Sequence, residues 1–172
     1  MKEVAIENVK VNPVAAFGDD WMALSAGSEG SGNAMCVAWG HLGCLWGGSR
    51  PGKMMPTAVV YVRPQRYTRE FMEREPMFAL CEFGPEYKKA LGIIGSRSER
   101  DGDKLADAGL TPVYAEGTMY LREARRIYIC RKVYHSALKE TCFTDESLVE
   151  RNYPERDFHE VYIGEIVKVL EA

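Results

Sequence analysis

Two turns in this sequence gather groups that bind anions. The first is Arg63-Pro64-Gln65-Arg66-Tyr67-Thr68. A β-branched run stops there at a proline, and a hydroxyl stands where a helix can begin. Helix N-termini offer unpaired N–H groups and positive potential to a phosphate. Guanidinium groups match phosphate oxygens with paired donors. The same residues also suit a plain helix cap with two solvent-facing arginines. The second turn is Gly95-Ser96-Arg97-Ser98-Glu99-Arg100-Asp101-Gly102-Asp103-Lys104. It ends one predicted helix and starts another, with hydroxyls and cations close together, and it can wrap a phosphate. An exposed polar loop is the simpler alternative, and Asp101 and Asp103 oppose a purely anionic site unless they orient the cations.

Cys36, His41 and Cys44 form a third constellation. Their spacing matches no common zinc module and a fourth ligand is missing nearby, so no metal is expected. A cysteine nucleophile would need His135 or His159 brought close by the fold. His159 shares strand parity with Val161 and Ile163 and reads as an inward histidine. No side chain is assigned a catalytic role.

These turns need elements to hold them. Asn33 to Trp46 is an apolar run free of Lys, Arg, Asp and Glu, and it carries two of the three tryptophans. It reads either as a core strand followed by a turn or as one wall of a pocket for a flat ligand. The pattern predicts an edge strand over 3–11 stopped by Asn12-Pro13, and a short apolar segment over 23–26. A glycine-rich loop over 27–32 has no Gly-Lys-Ser/Thr and is not a P-loop. A strand is expected from Asn33 to Trp39, a turn over 40–43 and a loop over 47–56. Thr57 to Arg63 is a β-branched strand, and Thr68 is the expected N-cap of a helix over 69–75. A strand over 77–83 precedes a helix from Pro85 to Gly95. Asp101 is expected to cap a third helix ended by Gly109-Leu110. Strands return over 118–122 and 125–134, residues 135–157 read as polar and irregular, and a last strand carries Val161, Ile163, Val167 and Val169, with a possible kink at Gly164. Strands outnumber helices and no βα repeat occurs. The expectation is a mainly β fold, a Greek-key or split β-barrel with short helical insertions, in a single domain over 1–172.

Composition narrows the function classes. At 172 residues the chain is 46% hydrophobic and 27% charged, with formal net charge −3, so nothing points to nucleic acid. No run approaches the roughly 18 apolar residues of a membrane span, and the N-terminal segment lacks a signal-peptide core. The protein is read as cytoplasmic. Its five cysteines form no Cys-x-x-Cys, and Cys81 and Cys130 read as small core residues.

Four segments occur in order. They are Asn-x-Met-x-x-x-Trp-Gly (33–40), Val-x-Val-Arg-Pro-x-Arg-Tyr-Thr (60–68), Ser-x-Ser-x-Arg-Asp-x-Asp-Lys (96–104) followed by Gly-Leu-Thr-Pro, and His-x-x-Tyr-Ile-Gly-Glu-Ile (159–166). On these the sequence resembles the flavin reductase-like proteins of the FMN-binding split-barrel superfamily, the group that includes flavoredoxin, across nearly the whole chain. The resemblance implies a homodimer holding FMN noncovalently near the subunit interface, with Leu42 to Trp46 meeting the second subunit. It puts Asn33, Met35, Cys36, Val37, Ala38 and Trp39 along the isoalloxazine ring. It offers Arg63, Arg66, Tyr67, Thr68, Ser96, Ser98, Arg100 and Lys104 for the ribityl chain and phosphate. The implied activity is an NAD(P)H-dependent flavin or ferric reductase, with hydride passing to flavin N5 and electrons onward. The alternative is a flavodoxin-like electron carrier, or a flavin-binding protein without its own nicotinamide site, reduced by a protein donor. Three departures stand out. Cys36 replaces a frequent Thr, Glu99 replaces a frequent Gly, and the 47–56 loop is long.

Overall fold

A computed structural model of the chain describes every residue except Glu29 and Ser49. The strands are β1 (Lys2–Val4), β2 (Met22–Ser28), β3 (Ser31–Val37), β4 (Gly40–Gly47), β5 (Met54–Val62), β6 (Met77–Glu82), β7 (Pro112–Ala115), β8 (Thr118–Leu121), β9 (Arg126–Ala137) and β10 (Glu160–Glu171). The helices are α1 (Pro13–Ala15), α2 (Thr68–Arg74), α3 (Lys88–Ser96), α4 (Lys104–Asp107) and α5 (Glu146–Asn152). Antiparallel pairing builds one large sheet in the order β3-β2-β6-β9-β10-β5-β4, with β1 beside β10, and a separate β7-β8 hairpin.

The sheet curls. Met35 and Val37 of β3 share a buried cluster with Val60 and Val62 of β5, and Leu42 of β4 packs on it, although these strands lie at opposite ends of the order. That cluster is the barrel interior. A second cluster covers the outer face of β2, β3, β6 and β9 with α3, α4 and the β7-β8 hairpin, through residues such as Leu91, Ile94, Leu105 and Met119. Alternation along β3 feeds both: Met35 and Val37 point inward, whereas Ala34 and Cys36 face α3. Gly164 of β10 sits at a register shift, and a Cβ there would stand 2.5 Å from Phe78 Cζ and 2.8 Å from Cys130 Cβ. Glycine is required where the curl brings the strands this close. The mainly β, split-barrel expectation holds.

Local expectations changed in several places. The 3–11 strand shrinks to β1, because the chain turns through a 3-10 turn at Ile6–Asn8. Asn12 then caps α1, its Oδ1 accepting from Val14 N at 3.1 Å, and the turn widens into a π-turn over Ala16–Asp20. In the 27–32 segment β2 and β3 pair to their ends, with Gly27 opposite Gly32 and Ser28 opposite Ser31. Gly27 is needed there, since a Cβ would lie 2.3 Å from Gly32 Cα. The 40–43 turn is part of β4, and β5 begins at Met54 inside the expected 47–56 loop. The parts of those two expected loops at Glu29 and Ser49 lie outside the described residues. Asp103, not Asp101, caps the third helix, its Oδ1 accepting from Ala106 N at 2.9 Å. The Gly109 ending holds: φ is +67° and Leu110 N donates to Leu105 O at 2.9 Å. β7 and α5 are additional, the latter inside the stretch expected to be irregular.

Candidate phosphate-binding site

The two turns singled out for anion binding meet. The turn after β5 enters α2, and the loop after α3 enters α4. Between them lies a hollow of about 180 Å³ whose lining includes Arg66, Thr68, Ser96, Ser98 and Lys104, with Met35 of β3 at one side. Arg66 ties the turns together, its Nη1 donating to Gly95 O at 2.9 Å.

Thr68 is not the N-cap of α2. Tyr67 holds that position and Thr68 is buried in the first turn, 1% exposed. Buried Asn33 of β3 fixes it. Asn33 Oδ1 accepts from Ala34 N at 2.9 Å, so the amide nitrogen must face Thr68, where it donates to Oγ1 at 3.1 Å. The Thr68 hydroxyl therefore accepts from Asn33 and keeps its own hydrogen for the hollow. Asn33 positions this donor from behind the site.

Lys104 carries the charge. It is 3% exposed, and its Nζ has one hydrogen bond among the described residues, a long 3.5 Å contact to Arg97 O. No carboxylate lies within ion-pair reach of it among the described residues. Burial brings its pKa down to about 8, Glu99 pulls the other way, and Arg66 lowers it further. A buried cation without a paired anion is costly. An ammonium, a guanidinium and a freed hydroxyl around a small hollow suit a tetrahedral oxyanion, and of the lining residues only the exposed Asp101 is acidic. The arrangement fits a phosphate monoester such as the FMN tail.

Not every expected residue joins this hollow. Arg63 turns away: its guanidinium pairs with Asp157, donates to Asn152 O at 2.8 Å and lies over the Tyr153 ring at 5.3 Å. Arg100 is drawn onto the Tyr67 ring at 4.5 Å and pairs with Glu70. Ser96 donates its hydroxyl back to Gly92 O at 2.9 Å, leaving its lone pairs outward, while Ser98 Oγ accepts from Arg100 N at 3.3 Å. Tyr67 lines the hollow's edge. Glu99 faces another hollow of about 700 Å³ shared with Tyr67 and Tyr114. Its carboxyl is held above the ordinary range by burial and by Asp103, against the pull of Lys104.

The residues expected beside the ring also divide. Met35, Val37 and Trp39 share one parity, with Met35 in the hollow and Trp39 43% exposed. Cys36 faces α3 instead, its Cβ so near Gly95 that a Cβ there would be 2.9 Å away. Burial raises its thiol pKa to about 11. Ala38 is exposed beside Trp39. Trp39 packs on the His159 ring at 4.5 Å, and His159 Nδ1 meets Tyr153 OH at 2.9 Å. Burial chiefly, with Arg63 in addition and Asp157 opposing, holds His159 at about 4, so it is neutral at pH 7. His159 is buried, as expected, but not by strand parity: it precedes β10, Val161 and Ile163 are only half-buried and Val167 is exposed, while Tyr162 of the opposite parity fills the core. Gln65 and Arg97 line the hollow without having been anticipated. Both belong to the two turns, although neither was among the residues offered for the phosphate, and Arg97 pairs with Asp107 at 2.7 Å.

Solved structures share this architecture. Flavoredoxin of Desulfovibrio vulgaris (Miyazaki F) is 20% identical, with a TM-score of 0.65 over 100% of this chain and 77% of that one. The FMN-binding domain of a flavin reductases-like enzyme from Shewanella baltica OS155 is 20% identical, TM-score 0.62, over 92% of this chain and 74% of that one. Nitrilotriacetate monooxygenase component B from Bacillus cereus is 14% identical, TM-score 0.64, over 100% and 82%. The fold is that of the FMN-binding split barrels. No protein-family model and no curated protein sequence matches the chain. Within this split barrel the hollow sits where β3, α2 and the α3–α4 loop converge. Among the described residues no helix is long and apolar enough to cross a membrane.

Proposed function

We propose that the chain is an FMN-binding oxidoreductase of the flavin reductase type, a single-domain flavoprotein that takes electrons from NADH or NADPH. The observation that carries this reading is buried Lys104, beside Arg66 and Thr68, facing a phosphate-sized hollow in a fold whose solved examples include FMN-binding proteins. When bound, FMN supplies the redox chemistry. The chain holds and shields it. Lys104, Arg66 and the Thr68 hydroxyl bind the phosphate, and Asn33 orients Thr68. Trp39 lies four residues beyond Met35, no more than about 14 Å along an extended chain, and in this reading it meets the ring end. Backed by His159, it keeps water from one face. Neutral His159 adds no charge beside the ring.

A second copy covering the far end of β4 is part of this reading. Trp46 is 51% and Met54 55% exposed there, whereas Leu42 of the same strand turns into the core. Light scattering on the purified chain tests it, and a monomeric mass at all concentrations refutes it.

The activity is tested anaerobically. Protein loaded with FMN should bleach on adding NADH or NADPH. If a protein donor alone bleaches it, the chain is an electron carrier. If FMN does not bind, the flavoprotein reading fails.

A further inference from the structure

A second pocket stands apart from the phosphate hollow. The segment between β9 and β10 folds back over β5 and leaves a slot of about 440 Å³, within the range of small-molecule sites. Trp39, Tyr61, Phe143 and Tyr153 wall it, and Leu148 and Lys139 stand at its rim.

The walls are held from behind. Trp39 rests on His159 at 4.5 Å. Tyr153 is 2% exposed, with Phe158 at 4.8 Å, the Arg63 guanidinium at 5.3 Å and its hydroxyl on His159. Phe143 packs on Tyr153 at 5.9 Å and on Phe158 at 5.8 Å. A slot built this way does not need to reorganise to take a ring, and aromatic walls favour offset or edge-to-face partners.

Its charge is one-sided. Lys139 is the one charged residue in the lining, and it has no ion pair among the described residues. The nearby carboxylates are engaged or face elsewhere. Glu140 pairs with Arg156 at 3.1 Å and lines a different hollow with Glu146 and Glu150, while Asp157 is taken by Arg63 and by Gln65 at 2.9 Å. We propose that this slot binds a small planar aromatic carboxylate, its ring against the aromatic walls and its anion at Lys139. The proposal does not depend on bound flavin.

Benzoate is the probe, with benzyl alcohol as the neutral analogue and cyclohexanecarboxylate as the non-planar one. Benzoate should bind saturably, one per chain, and change Trp39 fluorescence in a way lost in Trp39→Phe. Lys139→Gln should weaken benzoate about tenfold, as loss of a charge-assisted contact does, and benzyl alcohol less than about twofold. Leu148→Trp should block binding by filling the slot. With Cys44→Ser removing the other exposed thiol, benzoate should slow maleimide labelling of Cys142, which lines the slot. The proposal is overturned if benzoate binds no tighter than either analogue, if Lys139→Gln weakens benzoate and benzyl alcohol alike, or if no saturable binding appears up to about 10 mM, the limit of weak affinities. Sealing of the slot by a second copy gives that last result and also overturns it. Should Leu148→Trp fail to fold, the exposed Lys139 substitution carries the test.

Discussion

Replacing Lys104 with methionine separates the two costs that meet at this residue. The residue is 3% exposed and its ammonium is held by one 3.5 Å hydrogen bond among the described residues. Without ligand the charge is therefore a liability, and a similar-sized apolar side chain should stabilise the flavin-free protein, by about 1–4 kcal/mol if it behaves like other buried charges replaced by hydrophobic groups. The pH dependence has a definite sign. Below about 8 the group is charged in folded and unfolded chains alike, and the full burial cost applies. Between about 8 and the ordinary 10.5 the folded chain has released a proton that the unfolded chain keeps. Stability should then rise with pH across that window, and Lys104→Met should remove the rise. With FMN the balance reverses. Losing one charge-assisted contact to phosphate costs about 1.5–3 kcal/mol, roughly tenfold to 150-fold in Kd. Riboflavin, which lacks the phosphate, should lose less than about threefold by the same reckoning. Flavin fluorescence titrations of both ligands, with urea melts from pH 6 to 10, measure all of this. Equal loss for FMN and riboflavin, or an unaltered pH slope, refutes the assignment.

Thr68→Val should weaken FMN by about 1 kcal/mol more than riboflavin, and Asn33→Leu should do the same by releasing the Thr68 hydroxyl, both read by the same titration. His159 is held near 4 against an ordinary 6.5, so its folded pKa is depressed. Its contribution to stability is present above about 6.5 and is lost as pH falls toward 4. His159→Phe should flatten that part of the stability curve, as difference melts against the unaltered chain would show. Gly164→Ala places a methyl 2.5 Å from Phe78 Cζ, and urea melts should show a loss of about 1–3 kcal/mol from overpacking. Iodoacetamide at pH 8 should label Cys44 and Cys142, which are exposed, and spare Cys36, whose thiol is raised to about 11. Mass spectrometry of the peptides decides this.

The sequence made some parts of this molecule plain and hid others. β5 was legible because TAVVYVR is β-branched and ends at Pro64, and the Gly109 helix end because a glycine before a leucine has few other uses. The pairing of Ser28 with Ser31 was hidden because Gly27 and Gly32 look like loop residues, and their role is to let two strands touch. β4 was hidden because Gly40 and Gly43 imitate a turn, although the strand takes its order from pairing with β5. At the site, the convergence of two cation- and hydroxyl-bearing turns was foreseeable from residue types. Which cations face the hollow was not. Arg63 and Arg100 have partners distant in sequence, Asp157 and Glu70, and only the folded chain brings these within reach. Alternation sets Cys36 opposite Met35 and Val37, but both faces of β3 are covered, so which face meets α3 is fixed only by the packing of α3 on β3.

The central claim is that the hollow holding Lys104 binds the phosphate of FMN. Its most direct test is a phosphorus NMR titration of FMN with the purified chain. Saturation at one FMN per chain, with a shifted and broadened phosphate resonance that returns to the free position in Lys104→Met, is the predicted result. A phosphate resonance that stays at the free position while the flavin binds, or that shifts identically in Lys104→Met, would contradict it.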